Sequence, residues 1–304
     1  MEIHFWGTRG SIASPGPNTV RHGGNTTCVE IRDGDEFIIV DSGTGIRQCG
    51  NHILRERGPK NDINLLITHT HWDHIQGFPF FVPAFIPGNN LRILGPHNDM
   101  AHFTKVLTDQ MQYSYFPVNF AQLQAHIVHE TLSNELPFTI GSIRVIPKYV
   151  NHPVPTLAYR FEKGGKAIVF MTDVEPFRDV IFNGICPSEE EREEFEDVQK
   201  MVQEQNDSLV SFLQGADLIV MDAQYTRSEY EASKMGWGHT SMEDAIVTAQ
   251  RADATQLAFF HHDPERTDDQ LERLIGKYSE ELGHERGGSL KNLLATQEGQ
   301  SLKA

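Results

Sequence analysis

The chain has 304 residues, 38% apolar and 22% charged, a composition that supports one domain spanning residues 1–304 around a substantial core. Acidic residues outnumber Lys and Arg by 42 to 26, and the formal net charge of −16 excludes an extended nucleic-acid groove and favours a small substrate. Three cysteines without CxxC spacing exclude a disulfide framework; with an opening that has neither a basic leader nor a long apolar run, they predict a cytoplasmic protein without membrane association.

Along the chain, GGNTT at 23–27 reads as a backbone turn, with Asn25 or Thr26 as a lesser candidate for touching a site. The apolar run at 37–40 leads into Asp41 and then SGTG. That tetrapeptide is not a dinucleotide loop, because Gln48 stands where the third glycine belongs. A second run, 63–67, leads into Thr68 and THTHWDHIQG. The stretch from about 97 to 140 is less patterned and reads as an insertion or a set of loops beside the site. Within it, DQMQYSYFPVNF (109–120) carries Tyr113, Tyr115, Phe116 and Phe120. These rings either pack onto the core or form a lid over a site, of the same subunit or a neighbour, where Tyr113 and Tyr115 would stack on a base. Runs at 167–171, 218–221 and 257–260 lead into Asp173, Asp222 and His261. Continuous runs of this length predict strands buried on both faces with helices outside, and all five carry polar residues to one edge. Two helices are signalled: one from Pro187 with a Ser188–Glu191 capping box and a Phe195/Val198/Val202 stripe, the other from a Thr240–Glu243 box.

His69-x-His71-x-Asp73-His74 supplies two ligands to each of two neighbouring positions. Imidazole and carboxylate suit a borderline divalent cation, and each position needs a further ligand. His152 completes the first, His261 the second in preference to His262, and Asp173 bridges both. The expected cofactor is two divalent ions, zinc first, with manganese or iron as alternatives. His4, His52, His97, His102, His126, His129 and His284 read as residues without chemical duty.

HxHxDH followed by a later His, Asp and His resembles the metallo-β-lactamase superfamily, whose fold is an αββα sandwich with a dinuclear metal site at its edge. The opening GTRGSIASPGPNTVRHGGNTTCVEI and IIVDSGTGIR are similar to the branch of ribonuclease Z and the small cyclic-phosphate phosphodiesterases. The resemblance places Asp41 as an acid supporting a metal-binding His. GHTS at 238–241 resembles the His-Ser-Thr motif of ribonuclease Z with its last two residues swapped, and VMDAQY at 220–225 puts Asp222 where that family has Glu. His239 is thus expected as proton donor or phosphate holder and Asp222 as its orienting partner, with Asp73 binding the second metal and positioning a shared hydroxide. The implied function is a dinuclear phosphodiesterase acting on small cyclic phosphodiesters, cyclic nucleotides above all, in a homodimer. The alternatives are a ribonuclease Z-like tRNA 3′ endonuclease, whose basic tRNA-holding arm has no counterpart here, and a lactonase or thioesterase of the same fold.

Overall fold

A computed structural model describes residues 1–97, 100–186, 188–284 and 288–304. Pro187, expected at the head of the acidic helix, lies outside the described residues, as do the side chains of His102 and His284.

The chain first lays down β1 (Glu2–Gly7), β2 (Cys28–Asp33), β3 (Glu36–Val40), α1 (Ile46–Arg57), β4 (Asp62–Leu66), the single turn α2 (Trp72–Ile75), β5 (Asn90–Pro96), α3 (Met100–Asp109) and β6 (His126–Leu132). It then repeats the plan with β7 (Phe138–Ile140), β8 (Ile143–Val150), β9 (Thr156–Lys163), β10 (Lys166–Met171), α4 (Arg192–Leu213), β11 (Leu218–Asp222), α5 (Arg227–Ser233), α6 (Met242–Arg251), β12 (Gln256–Phe260), α7 (Asp268–His284) and β13 (Asn292–Ala295). A last strand, β14 (Ser301–Lys303), returns to pair with β1. The two seven-stranded sheets run β14-β1-β2-β3-β4-β5-β6 and β13-β12-β11-β10-β9-β8-β7. Each is mixed: β3 to β6 are mutually parallel, as are β10 to β13, and the remaining pairings are antiparallel.

All five apolar runs form strands of the two parallel halves, and the pleat explains why they read as unbroken. Ile168 and Phe170 of β10 pack between the sheets with Val220 and Phe260, whereas Val169 and Met171 face outward onto Leu209, Leu213 and Ala245 of α4 and α6. Ile39, Leu65 and Ile93 likewise meet Ile46, Cys49 and Ile53 of α1 on the outer face of the first sheet. Every position is therefore apolar, at about 1.5–3 kcal/mol for each large side chain withdrawn from water. The layers are helix, sheet, sheet, helix.

Two local expectations shift. The Ser188–Glu191 pair forms (Oγ to Oε2 2.5 Å), but regular helix starts only at Arg192, where the Phe195/Val198/Val202 stripe continues through Leu209 and Leu213. Helix α6 is capped by Ser241, not Thr240: the Ser241 hydroxyl accepts from the Asp244 N–H at 3.0 Å, one residue later than the Thr240–Glu243 box. The region 97–140 is less loop-like than its pattern suggests. It holds α3 and both edge strands, β6 and β7, and so carries the chain from one sheet to the other.

Candidate metal centre and acid–base pair

In the parallel half of a sheet, every strand delivers its C-terminal end to the same edge. Asp41 follows β3, Thr68 and His69 follow β4, Asp173 follows β10, Asp222 closes β11 and His261 follows β12. Asp41, Asp173 and His261 take positive φ (62°, 52° and 60°), a left-handed conformation costing about 1–2 kcal/mol for a residue with a side chain. The turn in the chain at each strand end aims these side chains across the gap between the sheets. Strain gathered at three convergent strand ends marks a site.

The side chains form two adjoining groups. His69, His71 and His152 make one, Asp73, His74 and His261 the other, and Asp173 belongs to both. Asp173 Oδ2 lies 3.6 Å from His69 Nε2 and 3.9 Å from His152 Nε2, while Oδ1 lies 3.1 Å from His74 Nε2 and 3.3 Å from His261 Nε2. One carboxylate thus turns an oxygen to each group. Within the first, His152 Nε2 is 3.1 Å from His71 Nδ1; within the second, Asp73 Oδ2 is 3.1 Å from His261 Nε2.

The outer nitrogens decide what these groups can hold. His74 Nδ1 donates to Asp41 Oδ2 (2.8 Å), His152 Nδ1 to the Gly238 carbonyl (2.9 Å), and His261 Nδ1 to Gln224 Oε1 (3.1 Å). The Thr68 hydroxyl, itself donating to Asp41 Oδ2 (2.8 Å), accepts from His69 Nδ1 (3.1 Å). Four imidazoles are so fixed with Nε2 lone pairs pointing inward, and His69 Nε2 is buried with no hydrogen-bond partner. Burial pushes His69 well down and His152 to about 4, keeping both in the neutral ligating form. His74 goes the other way: burial opposes its cation, but Asp173, Asp73 and Asp41 around it hold its pKa well above the ordinary value. Converging lone pairs among buried carboxylates require positive charge at their centre. A divalent cation fits each group, and the N/O donor set suits zinc, manganese or iron.

A third cluster adjoins the second group. His239 Nδ1 donates to Asp222 Oδ2 at 2.9 Å, and its ring stacks on His261 (centroids 5.0 Å apart, 22° between planes). Burial opposes charge on His239, yet the neighbouring carboxylate of Asp222 outweighs it and raises the pKa to about 9. The glycine before it is obligatory: Gly238 has φ +85°, and a Cβ there would stand 2.2 Å from His152 Nδ1. All of this opens on a cavity of about 520 Å³ lined by Ser11, Thr70, His71, Trp72, Asp73, Asp173, His239 and His261.

The structure therefore brings together His69, His71, Asp73, His74, His152, Asp173, Asp222, His239 and His261, all anticipated from sequence. His262 turns away, its Nε2 on the Thr296 carbonyl at 3.0 Å. Asn25 is a correction: its side-chain amide donates to Glu298 Oε2 (2.9 Å), so it buttresses a turn and does not face the cavity. Tyr113 and Tyr115 are 68% and 78% exposed and do not line the cavity, so within one chain they cover nothing there. Sequence reasoning missed Trp72, 81% exposed on the cavity wall although it sits inside the histidine motif, and Ser11, whose N–H donates to Asp73 Oδ2 (2.8 Å). It also missed Glu175, which accepts from Tyr230 OH (2.5 Å) and from the N–H groups of Gly236 (2.8 Å) and Gly238 (2.9 Å), holding the loop that carries His239.

Comparison with known proteins places these features in a family. Residues 36–189 match the family model of the beta-lactamase superfamily domain. Ribonuclease Z of Thermoplasma acidophilum is 25% identical over 293 residues, covering 88% of each chain; that of Pyrococcus furiosus is 24% identical over 293 residues, covering 87% of each. Among solved structures, the metallo-beta-lactamase fold protein YhfI from Bacillus subtilis superposes with TM-score 0.65 at 17% identity over 99% of both chains. Yeast PDE1 gives 0.64 at 17% over 99% of this chain and 98% of its own, and the short form of human tRNase Z 0.61 at 16% over 100% and 99%. At such identities the structural likeness is one of fold.

Proposed function

The chain belongs to the beta-lactamase superfamily, and within it we propose a dinuclear metal-dependent phosphodiesterase acting on small cyclic phosphodiesters of the cyclic-nucleotide class. The observation that carries this reading is the Asp222–His239 pair, 2.9 Å apart, on the cavity that both ligand groups share. His69, His71 and His152 would hold one cation and Asp73, His74 and His261 the other, with Asp173 between them. Two cations there supply Lewis acidity, lowering the pKa of water and offsetting charge on phosphoryl oxygens.

The chain's own residues do the rest. Because Asp222 accepts from Nδ1, the opposite nitrogen of His239 presents a proton to the leaving alkoxide or holds a phosphoryl oxygen. Asp222 stabilises the charged ring, and its stacking on His261 fixes its direction. Asp73, tied to the Ser11 N–H, orients the attacking water.

A second reading has support of its own: relatives that align over most of the chain are ribonuclease Z enzymes, so a tRNA precursor belongs among the substrates tested. The net charge of −16 weighs against it. A panel of 3′,5′- and 2′,3′-cyclic nucleotides, bis(p-nitrophenyl) phosphate, tRNA precursor and a lactone separates these readings. His239→Ala should lose roughly 10²–10⁴-fold on cyclic nucleotides and far less on nitrophenyl esters, whose leaving group hardly needs a proton. Hydrolysis of the lactone alone would overturn the proposal.

A further inference from the structure

Beside the metal centre lies a second, larger cavity of about 1040 Å³. His152 is part of its wall, and the imidazole Nε2 of His152 sits 3.1 Å from His71 Nδ1, on the wall of the first cavity. Gly236, from the loop that leads to His239, is on the wall as well. A substrate whose scissile phosphate lies at the metal centre would extend into this space.

The charge in the second cavity is not what its residue types suggest. Two of its lining residues are acids, but both carboxylates are occupied by the fold. Glu175 holds Tyr230 OH and two backbone N–H groups. Asp179 accepts from the N–H groups of Ile181 (3.0 Å), Phe182 (2.7 Å) and Gly184 (2.9 Å) and from Gln199 Nε2 (2.6 Å). The lining cation, Arg178, is different. Among the described residues it makes no hydrogen bond or ion pair; its guanidinium lies flat-on to the Tyr230 ring, 4.2 Å from the centroid. Tyr230 is buried and anchored through its hydroxyl to Glu175, so the platform under the guanidinium is rigid. A fork of N–H donors held in place by stacking, with no internal acceptor, is poised for an anion.

We propose that Arg178 forms a subsite for a second phosphate of the substrate, outside the scissile diester. This rests on the phosphodiesterase reading and narrows it: nucleotides with an additional phosphate are preferred to those with only the cyclic one. The half-exposed Met201 and Met235 offer adaptable apolar contact to the rest of such a ligand.

The test uses the metal-loaded full chain and three matched probes: adenosine 2′,3′-cyclic phosphate, the same compound with a 5′-phosphate, and the dinucleotide ApA 2′,3′-cyclic phosphate. KM for at least one phosphate-bearing probe should fall roughly tenfold or more below that of the plain cyclic nucleotide, the scale of a charge-assisted pair. A gain for the 5′-phosphate places the second phosphate on the same nucleotide; a gain for the dinucleotide alone places it on the neighbouring residue of an RNA. In Arg178→Ala the ratio of KM values should collapse to about one, and Arg178→Lys should restore part of it. A wild-type ratio near one, or a ratio that survives Arg178→Ala, overturns the subsite while leaving the phosphodiesterase reading intact. If none of the three probes nor bis(p-nitrophenyl) phosphate is hydrolysed, both fall together.

Discussion

Replacing Asp41 by Asn changes two atoms and should uncouple one cation site from the other. Asp41 is fully buried; its Oδ1 accepts from the Thr68 N–H at 2.7 Å and its Oδ2 from the Thr68 hydroxyl and from His74 Nδ1, each at 2.8 Å. The backbone at φ +62° suits Asn as well as Asp, so the turn itself is kept. An amide has only one oxygen. If that oxygen stays on the Thr68 N–H, the amide NH₂ meets His74 Nδ1, which must then accept; the ring proton moves to Nε2 and the ligating lone pair is lost. If the amide flips, its NH₂ opposes the buried Thr68 N–H, at about 1–3 kcal/mol. Either way the His74 group weakens, by about 10–100-fold in affinity, the usual scale for losing such a partner. His69, His71 and His152 keep their own outer hydrogen bonds, so the other group should be nearly unaffected. Removing a buried charge offsets part of the lost hydrogen bonding, and the metal-free fold should lose no more than about 2 kcal/mol. Competition against a chromophoric chelator reads two zinc-binding steps in the wild type; in Asp41→Asn one step should shift by that factor and the other stay. Two steps of unchanged affinity, with thermal unfolding confirming a native fold, would refute the tautomer argument.

Asp173→Ala should weaken both binding steps, because each carboxylate oxygen faces a different ligand group; Asp173→Asn, which tolerates the φ of +52°, separates that loss from backbone strain. His262→Ala should lower the melting temperature yet leave elemental analysis near two metals per chain, since its ring bonds to Thr296 away from the cavity. In the metal-free protein, His239 has its pKa raised from 6.5 to about 9, so its charged form stabilises the fold fully below pH 6.5 and that contribution is lost as pH rises through about 9. The stability gap between wild type and His239→Gln, measured by urea unfolding, should therefore shrink from pH 6 to pH 10; a gap that widens would contradict the assigned pairing with Asp222.

What the sequence disclosed and what it hid divide along one physical line. Asp173, Asp222 and His261 were legible because each directly follows an unbroken apolar run, and a strand buried on both faces both produces that run and delivers the next residue to a shared edge. The choice of His261 over His262 follows from the same geometry. Features fixed by partners far along the chain left no local mark. Asn25 looked free in its turn, but its amide belongs to Glu298, 273 residues away. Thr240 and Ser241 each begin an acceptable capping box, and only the fold decides between them: Ser241 reaches the Asp244 N–H, while the Thr240 hydroxyl is buried without a partner. Glu175 reads as one more acid in TDVEP until residues 230–238 close over it. The same closure makes Arg178 visible. A lone arginine in an acidic chain carries no signal, and it becomes a candidate only when every neighbouring carboxylate is seen to be occupied by backbone and tyrosine donors. Ligands at strand ends are thus written in periodicity, whereas the residues that tune them are written in long-range hydrogen bonds, which no single-sequence pattern records.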